Sequence, residues 1–287
     1  MRKQVLPLLV ALLSLFSAQA QAPSSHVGST TQPLTAMVAD PCRATLPVPQ
    51  APGGAADGLL IPGKFDPSLF QRPNRPDVQA YRKAQQEQAV IDWPDLCRYR
   101  AADAALRTPP RVVLMGDSIT ELWVAGDPSM FSDAVIGRGI SGQTTPQMLL
   151  RFFQDVIDLR PQIVQIMAGT NDVAGNTGPT TEQDFENNIT AMVELAHVHH
   201  IRVLLASIPP AAAFPWNPSL RPASTIVELN RWLRSYASES GSRYVDYYSV
   251  LADSKGSFRA DLSNDGVHPN RDGFAAMRPL FLKAIRK

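Results

Sequence analysis

A serine, a histidine and an aspartate stand in this chain where they could form a relay for acyl transfer. Ser118 ends the triplet Gly116-Asp117-Ser118, and Asp265 and His268 share the run Asp265-Gly266-Val267-His268-Pro269. A serine hydroxyl is a weak nucleophile until a base within hydrogen-bond reach takes its proton. Asp265 precedes His268 by three residues in a Gly-containing loop. From there its carboxylate can meet the imidazole's other nitrogen, fix the tautomer and stabilise the imidazolium. The tetrahedral oxyanion needs donors, and the candidates are the backbone N–H groups of Ser118 and Gly142 and the side-chain amide of Asn171. Gly142 lies in Gly139-Ile140-Ser141-Gly142-Gln143, where the lack of a Cβ lets substrate approach the backbone. Asn171 lies in Gly169-Thr170-Asn171-Asp172. Each motif has a plainer use when taken alone. Asp117 and Ser118 would also cap a helix, the Asn171 motif is an ordinary turn, and the His268 motif a loop. Their occurrence together, in order, at the ends of predicted strands points to chemistry.

These clusters meet only if the elements between them bring them to one place. Short apolar runs predict strands over 111–115, 134–136, 163–168, 201–206 and 244–246, and 3.6-residue spacing predicts helices over 145–159, 182–199, 224–238 and 271–285. Strands separated by helices imply right-handed crossovers and a parallel sheet covered on both faces, an α/β fold in three layers. In such sheets ligands bind beyond the carboxyl ends of the strands. Ser118, Gly142 and Asn171 follow the first three strands, and His268 lies between the fifth strand and the last helix. The chain has five histidines, and His268 is chosen by elimination. His26 lies in the Pro-rich start, and His197, His199 and His200 end the helix that leads into the fourth strand, at the other edge of the sheet.

Residues before 110 have another texture. Arg2 and Lys3, an apolar stretch over 5–15 and Ala18-Gln19-Ala20 read as a signal peptide over 1–20, cleaved near Ala20, with a run too short to span a bilayer. The expectation is a secreted or periplasmic protein. Export would leave Cys42 and Cys97 in an oxidising compartment, where they allow one disulfide; two unpaired thiols are the alternative. Residues 21–40 read as a disordered linker. Residues 41–110 read as an extension, Pro-rich and then helical over 77–88 and 94–106, packed on a main domain over 111–287. The Pro-rich residues 21–76 are expected to supply little core. A net charge of +1 and a pI near 7.8 give no broad field for nucleic acid or an anionic membrane. No further membrane span, cofactor or metal is expected, and the oligomeric state is not written in the sequence.

Taken together, Gly116-Asp117-Ser118, Gly142, Gly169-Thr170-Asn171-Asp172 and Asp265-Gly266-Val267-His268-Pro269 resemble, in order, the blocks of the GDSL, or SGNH, hydrolases. The resemblance runs from 111 to the C-terminus. It implies a flavodoxin-like α/β/α sandwich on a five-stranded parallel sheet, with a triad of Ser118, Asp265 and His268 and an oxyanion hole of Ser118, Gly142 and Asn171. The stretch 139–145, with Trp123, is similar to the branch that holds carbohydrate acetylesterases and platelet-activating-factor-acetylhydrolase-like esterases. The expected activity is metal-free hydrolysis of a small acyl ester, foremost an O-acetyl group on carbohydrate. A lipid-directed esterase, lysophospholipase or thioesterase is the rival within that chemistry. A metallophosphoesterase would need several His and Asp ligands across these loops, where only His268 stands. A non-catalytic carbohydrate-binding relative would lack a triad or oxyanion residue. Trp216 and Gln143 are candidate substrate contacts, although Trp216 would serve equally to pack its own loop. Arg138 suits either substrate or an ion pair. His197 and His200 share a helical face but lack a third metal ligand nearby. The glycosylation sequon Asn188-Ile189-Thr190 falls on a predicted helix and carries no functional weight.

Overall fold

Aliphatic runs form the sheet: β1 (Val112–Gly116), β2 (Val135–Gly139), β3 (Ile163–Met167), β4 (Arg202–Ala206) and β5 (Arg243–Val245). The computed structural model describes residues 40–44, 51–67 and 75–286; the expected signal peptide, His26 and, apart from Asp40, the expected linker lie outside the described residues. The strands are all parallel, in the order β2-β1-β3-β4-β5. Side chains alternate across the pleat. Val113, Met115, Val164, Ile166, Val203 and Leu205 enter one core, and Val112, Leu114, Ile163, Met167, Leu204 and Ala206 the other. Burial on both faces is why the strands read as continuous apolar runs.

The helices are α1 (Ala55–Leu60), α2 (Pro76–Ile91), α3 (Arg100–Ala104), α4 (Ser118–Gly126), α5 (Thr145–Phe152), α6 (Thr170–Ala174), α7 (Glu182–Val198), α8 (Ala223–Glu239), α9 (Tyr248–Leu251) and α10 (Arg271–Arg286). Helices α5, α7 and α8 cover the first core, with Phe152, Phe185, Ile189, Ile226 and Leu233 buried there. Helices α4 and α10 cover the second, where Trp123 stacks on Phe274 at 5.6 Å between ring centroids. The chain thus leaves β1 toward one face and β3 toward the other. Adjacent strands that part in this way open a crevice at their carboxyl ends. In register, Gly116 lies beside Gly139 of β2 and Met167 of β3, so three loops leave the sheet at one level.

The segment before β1 departs from expectation in two places. Residues 94–99 are turns, and the helix begins only at Arg100. The Asp92 carboxylate accepts from the N–H groups of Leu96 (2.8 Å) and Cys97 (3.0 Å), and Asp95 takes a positive φ of 56°. A side chain that captures backbone donors in this way competes with helix formation. In the Pro-rich stretch, α1 forms and places Leu60 in the second core at 3% exposure. That stretch therefore contributes to the core, because Leu59 and Leu60 follow two alanines long enough to make one apolar turn. Cys42 and Cys97 form a disulfide, which ties residues 41–44 to the turn before α3. Contacts divide the chain between Pro41 and Cys42, and residues 42–110 belong with the sheet.

Helix α5 passes into a π-helical turn, Phe153–Ile157, so the predicted helix over 145–159 changes pitch near its middle. Arg151, at the end of α5, is fully buried. Its guanidinium donates to the carbonyls of Gly116 (2.9 Å) and Arg138 (2.9 Å), to Gln143 Oε1 (2.5 Å) and to the buried Asp155 carboxylate (2.8 Å). Arg151→Met would leave the buried Asp155 without its cation and take a donor from the Gly116 and Arg138 carbonyls. It should lower the unfolding free energy by about 3–5 kcal/mol, measured by urea denaturation. A loss below about 1 kcal/mol would mean that the pair is dispensable.

Candidate active site

Strand β1 runs through Asp117 directly into α4. Asp117 caps the helix, its Oδ1 accepting from the Ile119 N–H at 2.9 Å, so Ser118 sits at the helix N-terminus above the sheet edge. Gly139 permits this placement. A Cβ there would fall 2.2 Å from the Glu121 nitrogen and 2.6 Å from the Asp117 carbonyl oxygen, so only glycine lets the first turn of α4 lie against β2. Ser118 Oγ is 2.9 Å from His268 Nε2, and His268 Nδ1 is 2.7 Å from Asp265 Oδ2. The other oxygen of Asp265 accepts from the N–H groups of Val267 (2.9 Å) and His268 (2.8 Å). The loop's own backbone therefore holds the carboxylate before the imidazole meets it. His268 and Asp265 are both buried. Burial opposes a charge on His268, but Asp265, by its charge and hydrogen bond, and Asp117 behind it hold the imidazole pKa above the ordinary 6.5. Burial likewise pushes Asp265 up, and the charge and hydrogen bonds of His268 outweigh it, keeping the carboxyl below the usual range.

Gly142 and Asn171 line the same cavity as Ser118 and His268. Gly142 has a φ of +82° with nothing within 4 Å of where a Cβ would stand, so this backbone is open to substrate and suits only glycine comfortably. Asn171 Oδ1 accepts from Asn176 Nδ2 at 2.6 Å, which fixes which way its amide points. The Nδ2 donates to the Gln143 carbonyl at 2.9 Å and makes only a long 3.3 Å contact with Asp117 Oδ2. One of its two protons is thus weakly engaged. Asp172 turns away from the cavity. Its carboxylate accepts from Thr145 N (3.0 Å) and Thr145 Oγ1 (2.5 Å), binding the loop after β3 to the start of α5.

This arrangement coincides with a family likeness over most of the core. Residues 114–276 match the model of the GDSL-like Lipase/Acylhydrolase family. The chain belongs to that family. Family membership places it among the acylhydrolases, enzymes of carboxylic esters. The structure is similar to that of a proposed acylhydrolase from Bacteroides fragilis, at 46% identity over 68% of this chain and 97% of that one, with a TM-score of 0.66. It is also similar to the acetyl xylan esterase AlAXEase, at 25% identity over 60% and 98% of the two chains, with a TM-score of 0.51. Among curated proteins it is similar to YqeF of Bacillus subtilis, an uncharacterized lipoprotein, at 38% identity over 79 residues. The match takes in 26% of this chain, which spans about a third (32%) of that relative's length.

Other residues of this acylhydrolase lie where the sequence did not put them. Gln143 is buried and borders the polar side of the cleft, where its Nε2 donates to the Pro94 carbonyl at 2.8 Å and its Oε1 accepts from Arg151. Arg138 is buried in an ion pair with Asp103 of α3, Nε to Oδ1 at 2.9 Å. Trp216 both packs its loop, stacked on Phe214 at 5.2 Å, and faces the cavity 6.2 Å from the His268 ring; its Nε1 donates to Asn176 Oδ1 at 3.1 Å. His197 and His200 lie at the end of α7, and among the described residues no group of three metal-ligating side chains forms. Asn188 of the sequon is half-buried and donates to Thr145 Oγ1 at 3.1 Å. Glu121 was not foreseen. One turn past Ser118, it accepts from the Ser141 N–H at 2.9 Å and from Arg98 at 2.7 Å, fixing the peptide just before Gly142. Its only signal was its spacing of three from Ser118.

His268 can accept a proton only when neutral, and its raised pKa keeps it charged to higher pH than a free imidazole. kcat/KM should therefore fall on acidification with a midpoint above 6.5. A pH–rate profile on a p-nitrophenyl ester checks this, and a midpoint below that value would contradict the Asp265 and Asp117 fields.

Proposed function

We propose that the protein hydrolyses O-acyl esters of carbohydrate, acetyl esters among them, through a covalent acyl-serine intermediate. The observation that carries this reading is the unbroken relay from Ser118 Oγ to His268 Nε2 and from His268 Nδ1 to Asp265 Oδ2, at 2.9 and 2.7 Å. His268 takes the Ser118 proton as Oγ attacks the ester carbonyl carbon, and the carbonyl electron pair moves onto oxygen. The Ser118 and Gly142 N–H groups and Asn171 Nδ2 receive that oxyanion. Its collapse expels the alcohol, which leaves with the proton from His268. Water, deprotonated in turn by His268, attacks the acyl-serine and releases the acid. Asp265 stays ionised throughout and steadies the imidazolium.

A polar cavity of about 580 Å³ next to Gly142 and Trp216 supports a hydroxylated alcohol. Gln85, Asp92, Gln147 and Thr177 border it, groups suited to sugar hydroxyls, and Trp216 offers a ring face. The likeness to an acetyl xylan esterase agrees with that choice. We further propose that the protein works outside the cytoplasm. The signal-peptide pattern over 1–20, the Cys42–Cys97 disulfide and the lipoprotein relative all support export.

Ser118→Ala should abolish acetate release from acetylated xylan and from p-nitrophenyl acetate while leaving the circular dichroism spectrum unchanged. Retained turnover would refute the nucleophile. Asn171→Ala should lower kcat roughly a hundred- to a thousandfold, the scale for one oxyanion donor. An unchanged kcat in steady-state assays would remove Asn171 from that role.

A further inference from the structure

The cleft has two arms that share a border of Tyr81, Gln85, Gly142 and Trp216, and the one holding Ser118 differs in character from the polar arm. Its volume is about 620 Å³, and away from the triad it is walled by Ala55, Leu59, Val78, Tyr81, Leu122 and Ala125. We propose that this apolar arm is an acyl-chain subsite, so that the enzyme takes medium-length acyl groups and prefers them to acetyl. The proposal rests on the acyl-serine reading above.

Three helices build the arm, each for a sequence reason. In α4, Leu122 and Ala125 follow Ser118 at i+4 and i+7 and so lie on its side of the helix. Ile119 and Trp123 turn the other way into the core. At 1.5 Å of rise per residue this wall runs about 10 Å from the Ser118 position. Helix α2 faces it with Val78, Tyr81 and Gln85 at i, i+3 and i+7. Helix α1 adds Ala55 and Leu59, and its carboxyl end is fastened to the loop of the triad: Asn264 Nδ2 donates to the carbonyls of Leu59 (2.9 Å) and Gly58 (3.1 Å). The alanines keep the arm open where larger side chains would fill it.

An acetyl group would occupy a small part of such a space. Arg82, Gln85 and Arg98 also border the arm, but its lining is mainly apolar, so an alkyl chain along Ala55, Leu59, Leu122 and Ala125 would leave water for apolar surface. Because the polar arm suits the hydroxylated alcohol, the chain in the apolar arm belongs to the acid. Helices α1 and α2 both precede residue 114, where the family match begins, so this subsite is an addition to the family's core.

The test uses the full chain and two ester series. In the first, p-nitrophenyl esters run from acetate to octanoate; in the second, alkyl acetates run from methyl to octyl. Roughly two- to fourfold gain per buried methylene predicts a rise in kcat/KM of at least about tenfold from acetate to hexanoate, with alkyl acetates flat. Ala125→Trp, which fills the arm, should bring the hexanoate-to-acetate ratio to within about twofold of unity, and Ala55→Phe on the facing wall should do the same. A flat or falling acyl series, a rise confined to alkyl acetates, or a ratio unmoved in both variants would overturn the subsite. Those results would leave Ser118-dependent acetate hydrolysis intact. Loss of that dependence would overturn the acyl-serine reading instead.

Discussion

One buried guanidinium holds the working edge of the sheet together. Arg151 reaches the carbonyls of Gly116, at the end of β1, and Arg138, one residue before the end of β2, as well as the side chain of Gln143, and its remaining charge meets Asp155. Strand β1 leads to Ser118 and β2 to Gly142, so a single side chain braces both exits where the β1–β2 pairing ends. A buried cation is tolerable only when its donors are matched. Here the donors are matched by two backbone carbonyls, Gln143 and Asp155, and the Gly116 carbonyl accepts from the Ile140 N–H at 3.1 Å as well.

The loop carrying Gly142 is also held from outside the family's core. Pro94 and Trp93 accept from Gln143 and Gln147 at 2.8 Å each, Tyr99 donates its hydroxyl to the Gly139 carbonyl, and Arg98 braces Glu121 against Ser141. Oxyanion donors are effective in proportion to how little they must reorganise during reaction. The turn over residues 92–99 thus gives rigidity to a glycine whose own backbone would otherwise be the loosest part of the proposed site. The disulfide at Cys97 fastens the same turn.

How much of this was legible follows from what the residues had to compete with. The strands stood out because sheets buried on both faces leave few polar positions to blur them; Gln165 of β3 is one, and it accepts from the Tyr247 hydroxyl at 2.7 Å. The triad was legible because His268 alone among the histidines fell at the carboxyl edge, and the structure brings it to hydrogen-bond distance of Ser118. Helix α1 was not legible, because Ala-Ala-Asp-Gly-Leu-Leu has the composition of its Pro-rich surroundings and gains order only by packing Leu60 beside Phe274 and Trp123. The structural bonds of Gln143 were not legible, because its partners Pro94 and Arg151 are brought to it only by the tertiary structure. Arg151 hid in plain view. It lies on the buried face between Met148 and Phe152, where an arginine is read as solvent-facing by habit unless its neighbours are counted.

The partners Ser118 and His268 are 150 residues apart in sequence yet share one hydrogen bond. A ribosome would finish β1 and α4 long before it reached the imidazole, and a nascent chain carries a hydroxyl with no base. The relay geometry is complete only when the loop before α10, tied to α1 through Asn264, brings His268 beside the start of α4.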